Sequence, residues 1–178
     1  MKLLLKEKII SWFDSFYIYD EAGDVYFNVK GKLAWGHKFV IYDAAGNEVG
    51  MVREQIIDLM PHFDLYKDGT KVGTLSKKIT LLKPKFKVDS NGWEVAGDIL
   101  QWDYSIHDGS GRETARIYKK VLRLLETYVI DVADKDDALD AVMVVLAIAA
   151  EKCTEEHKEE KREAKMAKAE AKAKRLRG

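Results

Sequence analysis

A short phrase recurs along this chain and constrains most of what it can fold into. Residues 16–20 (Phe-Tyr-Ile-Tyr-Asp) run into Glu-Ala-Gly-Asp and then Val25, and residues 39–43 (Phe-Val-Ile-Tyr-Asp) run into Ala-Ala-Gly-Asn-Glu and Val49. Residues 63–66 (Phe-Asp-Leu-Tyr) turn through Lys-Asp-Gly into Val72, and residues 104–108 (Tyr-Ser-Ile-His-Asp) turn through Gly-Ser-Gly-Arg-Glu into Thr114. A looser copy, residues 86–89, turns through Ser-Asn-Gly into Trp93 and Val95. Each copy reads as an aromatic-rich strand, a polar glycine turn and a second strand, which is a β-hairpin. The copies begin about 18 to 24 residues apart, the spacing of a repeated supersecondary unit.

Alternation supports the strands. Lys85 and Lys87 point one way and Phe86 and Val88 the other, a period of two. Phe16 and Ile18, Phe39 and Ile41, and Phe63 and Leu65 alternate likewise, with Tyr19, Tyr42, Tyr66 and His107 on the opposite face. Between the hairpins, residues 32–35, 55–60, 79–82, 99–102 and 121–125 read as extended. The only prolines, Pro61 and Pro84, sit between hairpins, where a ladder N–H is dispensable. With further strands over residues 2–12 and 127–132 the count reaches about a dozen, and a meander of that length removes its edges by closing on itself.

The texture changes after Val132. Asp134 is a natural N-cap, Asp136 and Asp137 fall in the first turn, and residues 141–150 form an apolar run with no polar side. Such a helix must be surrounded by protein, because ten residues are too few for the roughly 17 that a bilayer requires. One arrangement fits best: a mainly β fold, a closed antiparallel barrel of about twelve strands around a central hydrophobic C-terminal helix. Ala141, Ala147, Ala149 and Ala150 keep that helix slim, although a helix packed outside a sheet also satisfies the pattern. Residues 1–150 form this domain, and residues 151–178 a Lys/Glu/Ala-rich helical or disordered tail of high helix propensity. Met166 and Leu176 are its only large apolar side chains, too few for a stable coiled coil.

Composition excludes more than it proposes. The 178 residues carry 30 basic and 30 acidic side chains, so the whole molecule has no electrostatic preference for nucleic acid. The tail carries ten basic and seven acidic residues, leaving the domain slightly acidic. Cys153 is the only cysteine, which points to a reducing, cytoplasmic setting, and the first residues lack the apolar run of a signal peptide.

Residues 16–30, 39–53, 82–86 (Leu-Lys-Pro-Lys-Phe), 92–98 (Gly-Trp-Glu-Val-Ala-Gly-Asp), 103–108 and 127–133 together resemble, in order, the LURP-one-related family. That resemblance covers about residues 1–150 and implies a tubby-like fold, shared with tubby C-terminal domains and phospholipid scramblases: a twelve-stranded barrel around a hydrophobic helix. It implies no enzymatic activity. Phosphoinositide binding by tubby relatives and the calcium and membrane links of scramblases are fold-level analogies.

Candidate binding residues are the basic run Lys77, Lys78, Lys83, Lys85 and Lys87, with no acid between Ser76 and Val88. Ammonium groups on adjoining strands suit anionic lipid head groups at a membrane surface; lysines that guard strand edges would look the same. Arg112, Arg116, Lys119, Lys120 and Arg123 form a second basic cluster. The acidic group Asp131, Asp134, Asp136, Asp137 and Asp140 lacks the glycine and terminal glutamate of an EF-hand loop, and capping accounts for three of its members, so no metal is expected. The four histidines have no ligand spacing, and no phosphate loop or nucleophile elbow occurs, so neither a cofactor nor catalysis is expected. Two functions remain: a non-enzymatic module binding anionic phospholipid, or a protein-interaction platform whose basic tail docks an acidic partner or RNA. A lipocalin-like carrier conflicts with the filled lumen.

Overall fold

Every strand is antiparallel to its neighbours, and the order β1-β12-β11-β10-β9-β8-β7-β6-β5-β4-β3-β2 closes on itself. The computed structural model describes residues 1–5, 15–32, 35–56, 62–78, 85–122 and 125–176. The strands are β1 (Lys2–Leu5), β2 (Ser15–Tyr19), β3 (Val25–Gly31), β4 (Lys38–Asp43), β5 (Glu48–Gln55) and β6 (His62–Lys67). They continue with β7 (Thr70–Lys78), β8 (Lys85–Val88), β9 (Glu94–Asp98), β10 (Asp103–His107), β11 (Glu113–Leu122) and β12 (Leu125–Val132). A 3-10 turn (Lys135–Asp137) then leads into one helix, α1 (Ala138–Leu176).

The recurring phrase has a recurring backbone cause. In four hairpins the register slips by one residue at the same place: Ile18/Tyr19, Ile41/Tyr42, Leu65/Tyr66 and Ile106/His107. A bulge there twists the strands into the turn. The aspartate that follows fastens three of these turns. Asp20 Oδ1 accepts from the Asp24 N–H, Asp43 from Asn47, and Asp108 from the N–H groups of Ser110 and Arg112. Gly46 and Gly111 supply the positive φ that the same turns require. The phrase is thus a folding instruction rather than a chemical one.

Those glycine turns lie at the end of the barrel where α1 enters. Asp134 caps the 3-10 turn by accepting from the Asp136 N–H, as expected from its position. Residues 141–151 are then buried without a break inside the barrel, against Leu3, Ile18, Ile41, Leu75, Ile106 and Ile117 from its walls. The helix does not stop at residue 150. It runs 39 residues, and from Glu155 to Ala171 every residue is exposed. The change at residue 150 is one of surroundings, not of backbone.

Residues 99–102, expected as extended, instead make the turn from β9 to β10. Asp98 Oδ1 accepts from the Gln101 N–H, and Trp102 sits at φ 56°. An aspartate opening a tight turn in this way outcompetes the extended form. Residues 33–34, 57–60, 79–82 and 123–124 of the other expected runs lie outside the described residues, as do residues 6–12 of the first strand.

Gly97 on β9 pairs with Tyr104 on β10 at φ 129°, and a Cβ there would meet the Tyr104 Cα at 2.6 Å. The obstacle is backbone, which cannot swing away. Gly97→Ala is expected to lower stability by about 1–3 kcal/mol, through strain and the clash together. A urea midpoint unchanged in that variant would show that the β9–β10 pairing is looser than drawn.

Candidate functional site

The basic run divides as soon as it folds. β7 and β8 pair with Ser76 opposite Lys87, Lys77 opposite Phe86, and Lys78 opposite Lys85. Phe86 is buried, so its partner Lys77 also faces inward, on the same side as Gly73 and Leu75. Its ammonium donates to Glu151 Oε1 at 2.6 Å and Glu155 Oε1 at 2.9 Å, both on α1. The Lys77 side chain is 14% exposed and that of Glu151 only 5%. Burial works to lower the Lys77 pKa, but the two carboxylates outweigh it and hold the ammonium above its ordinary value. Burial raises the Glu151 carboxyl, and Lys77, shared with Glu155, does not bring it back. Glu155, nearer solvent, is lowered by Lys77.

The other described lysines of the run face outward. Lys87 meets Glu94 on β9 at 3.0 Å. Lys78 and Lys85 stand directly opposite each other, both exposed; Glu94, which Lys87 already pairs, feels both charges but forms no ion pair with either. Like charges in this position repel. Lys83 and Arg123 lie outside the described residues.

The second cluster does not join the first. Arg112 sits in the turn at the opposite end of the barrel, bonded through Nε to Asp108 at 3.1 Å. Arg116 donates to Asp103 at 2.8 Å, and Lys120 lies 5.4 Å from the Tyr118 ring centroid. Two strands, β9 and β10, separate this cluster from β8. Within the acidic group, Asp131 pairs with Lys2 and Asp140 with Lys67. Among the described residues no three His, Cys, Asp or Glu side chains are arranged to hold a metal, and no helix is long and apolar enough to cross a membrane.

A sequence signature described as LURP-one-related matches residues 1–150, most of the chain. The chain belongs to the LURP-one-related family. The uncharacterized protein YxjI of Bacillus subtilis is 26% identical over 149 residues, covering 83% of this chain and 91% of that protein. A protein of Arabidopsis thaliana solved by X-ray crystallography shares the fold, with a TM-score of 0.55 at 19% identity, over 81% of this chain and 88% of its own.

Where α1 leaves the barrel, this LURP-one-related chain has a groove that composition did not reveal. Phe86, Ile99, Leu100 and Ile148 form its floor, and Lys77, Glu151, Lys152, Glu155, Glu156 and Glu159 its polar wall, around about 170 Å³. Lys152 donates to the Leu100 carbonyl at 2.6 Å and lies 4.9 Å from the Trp102 ring centroid. Burial lowers its pKa. Leu100 is 69% exposed, and Trp35 and Ile56 are also exposed at this same end. A second cavity, about 270 Å³, lies at the entry end beside the Lys67–Asp140 pair, with Trp93, Val144 and Ser90 among its lining. The available signal for the groove was the spacing of Glu151 and Glu155, one helical turn apart just past the apolar run.

Proposed function

We propose that the protein is a non-enzymatic binding module that lies side-on against an anionic phospholipid surface. The observation that carries this reading is the Lys78–Lys85 pair, two exposed ammonium groups opposed across one ladder. A phosphate-bearing head group would relieve their repulsion, with each lysine contributing about 1 kcal/mol near an anionic membrane. The fold limits the approach. Residues 155–176 continue α1 beyond the barrel by roughly 33 Å, and this charged stem keeps a flat bilayer away from the end it leaves. Approach by the outer wall of β7 and β8 lays the stem parallel to the surface, with the basic end of the tail in reach of lipid.

Vesicle co-sedimentation tests it. Binding to phosphatidylglycerol or phosphoinositide vesicles, but not to phosphatidylcholine, is expected to weaken roughly tenfold or more when Lys78 and Lys85 become Ala. Equal binding by that variant would sink the reading.

The stem itself favours a second reading, an interaction platform. A helix rooted in the lumen presents its exposed half without the ordering cost of a free tail. Its basic end then docks an acidic protein surface or RNA, which anisotropy of a labelled polyglutamate peptide or an RNA oligonucleotide would measure.

A further inference from the structure

Building on the interaction-platform reading, on which this rests, we propose that one face of the stem docks an acidic helix of a partner protein. At about 100° per residue, the stem sorts its charges by face. Glu155, Glu156, Glu159, Glu160, Glu163 and Glu170 fall within a sector of roughly 140°. Lys158, Lys161, Arg162, Lys165 and Lys168 fall within roughly 120° on the other side, and all of these residues are exposed. The sorting works against the helix itself. Opposite charges three or four residues apart stabilise a helix, and like charges destabilise it. Between residues 155 and 168 only Glu155–Lys158 and Glu159–Arg162 are opposite at that spacing. Lys158–Lys161, Lys158–Arg162, Lys161–Lys165, Arg162–Lys165 and Lys165–Lys168 all repel, and the acidic face repeats the pattern. A solvated spacer would gain from mixing these charges. Keeping them apart suits a face that an anionic partner covers.

An apolar step lies at the foot of the basic face. Burial raises the Glu54 carboxyl and bonds from His37 lower it, and Lys158 adds to the lowering, so the basic face rises over the end of β5. There the chain at Gly36 lies against Ile56 and Glu54: a Cβ on Gly36 would meet Ile56 Cγ1 at 3.0 Å and Glu54 Cβ at 3.2 Å. Trp35 and Ile56, 92% and 53% exposed, form the step. Shape then selects the occupant. α1 leaves from inside a closed barrel, so the rim surrounds the stem, and a flat surface alongside meets the barrel wall first. A slender rod fits, since two helices pack with axes about 8–10 Å apart. Acids at three- and four-residue spacing on a second helix meet cations at the same spacing without either backbone bending. A large apolar residue at its end covers Trp35 and Ile56, as anchors do in helix-docking interfaces. The branched Ile56 favours protein over RNA, whose bases stack on rings.

Fluorescence anisotropy on the full chain tests this, with a labelled alanine-based helical peptide as the probe. The probe carries glutamates at three- and four-residue spacing on one face and a leucine pair at one end. Binding is expected at about 50 mM salt and should fade near about 500 mM, where screening is strong. Lys161→Glu/Lys168→Glu takes the face from five positive charges to a net one, and is expected to weaken binding at least tenfold. The same change makes Lys158, Arg162 and Lys165 face more opposite charge along the helix, so retained helicity by circular dichroism separates lost docking from a melted stem. Trp35→Ala is expected to weaken binding about tenfold, and Glu160→Gln/Glu163→Gln, on the far face, less than about twofold. Equal binding by the Lys161/Lys168 variant overturns the site. So does equal binding of a peptide whose glutamates are spread around its helix, or tighter binding of single-stranded RNA through the same lysines. If peptide or RNA binds only through residues 172–178, shown by loss when Lys172, Lys174 and Arg175 become Gln, this face has failed and the platform reading stands. A chain that binds neither peptide nor RNA overturns the site and the platform reading together.

Discussion

Lys77→Ala is expected to cost about 3–5 kcal/mol of stability, a large loss for a surface-strand lysine. The reason lies in the partner left behind. Glu151 is almost fully buried where α1 leaves the barrel, and Lys77 is the cation within its reach. Removing the ammonium leaves a desolvated carboxylate with only a proton to neutralise it. The double variant Lys77→Met/Glu151→Leu is expected to recover most of the loss, since replacing both members of a buried pair by apolar groups is near neutral. Urea unfolding of the three proteins measures this, and a Lys77→Ala midpoint within error of wild type would refute the buried pair.

The pH dependence has definite signs. Lys77 is held above its ordinary value of 10.5, so its contribution is complete below that pH and is lost as pH rises through the raised value. Glu151 is raised above 4.5, so its contribution is present below 4.5 and lost as pH rises; it does not promote acid unfolding. The acid limb comes from the carboxyls held low, Asp64 and Glu54 the most buried among them. Burial alone would raise both, but Asp64 is lowered overall by bonds from Lys71, Gln55 and Thr74, and Glu54 by His37. Their contributions are present above 3.8 and 4.5 and fade as pH falls through the lowered values. Stability should therefore decline at both extremes, with Lys77→Ala flattening the alkaline side and also removing the acid-side contribution of Glu155, which Lys77 holds low.

How far these features were legible follows from the range of the interaction behind each. The hairpins were legible because their determinants are local: an alternating strand, an aspartate that accepts from the turn, and a glycine with positive φ, all within ten residues. The buried helix was legible because residues 141–150 have no side that water could wet. The outward direction of Lys85 and Lys87 came from the same period-two rule. Lys77 shows where that rule runs out. Its parity with Leu75 turns it inward, but its partner Glu151 is 74 residues away, and their meeting depends on how far α1 travels through the lumen. The groove at the helix foot is hidden for the same reason. Its floor comes from β8, the turn after β9 and α1, three segments that only the closed barrel brings together. The gap between the two basic clusters was equally illegible, because it depends on strand order around the barrel.

The two halves of α1 allow the largest contrast within one element. Leu146→Ala is expected to destabilise by about 2–5 kcal/mol, whereas Met166→Ala, twenty residues further along, should stay within about 0.5 kcal/mol. Both truncate a large apolar side chain in a helix, and alanine suits a helix better than either, so propensity predicts no loss at all. The difference is environment. Leu146 is 1% exposed in the lumen, where a closed barrel wall cannot collapse onto the space left behind. Met166 is 65% exposed, so its loss opens no cavity. Ala147→Leu probes the opposite limit: Ala147 is fully buried, and overpacking there is expected to cost about 1–3 kcal/mol. Thermal or urea unfolding of the three variants makes the comparison. If Leu146→Ala cost under about 1 kcal/mol while Ala147→Leu were tolerated, the helix would have to lie against the outside of a sheet, where neighbours can shift. Loss at both lumen positions with none at Met166 requires a helix enclosed on every side for its first half and exposed along the described part of its second.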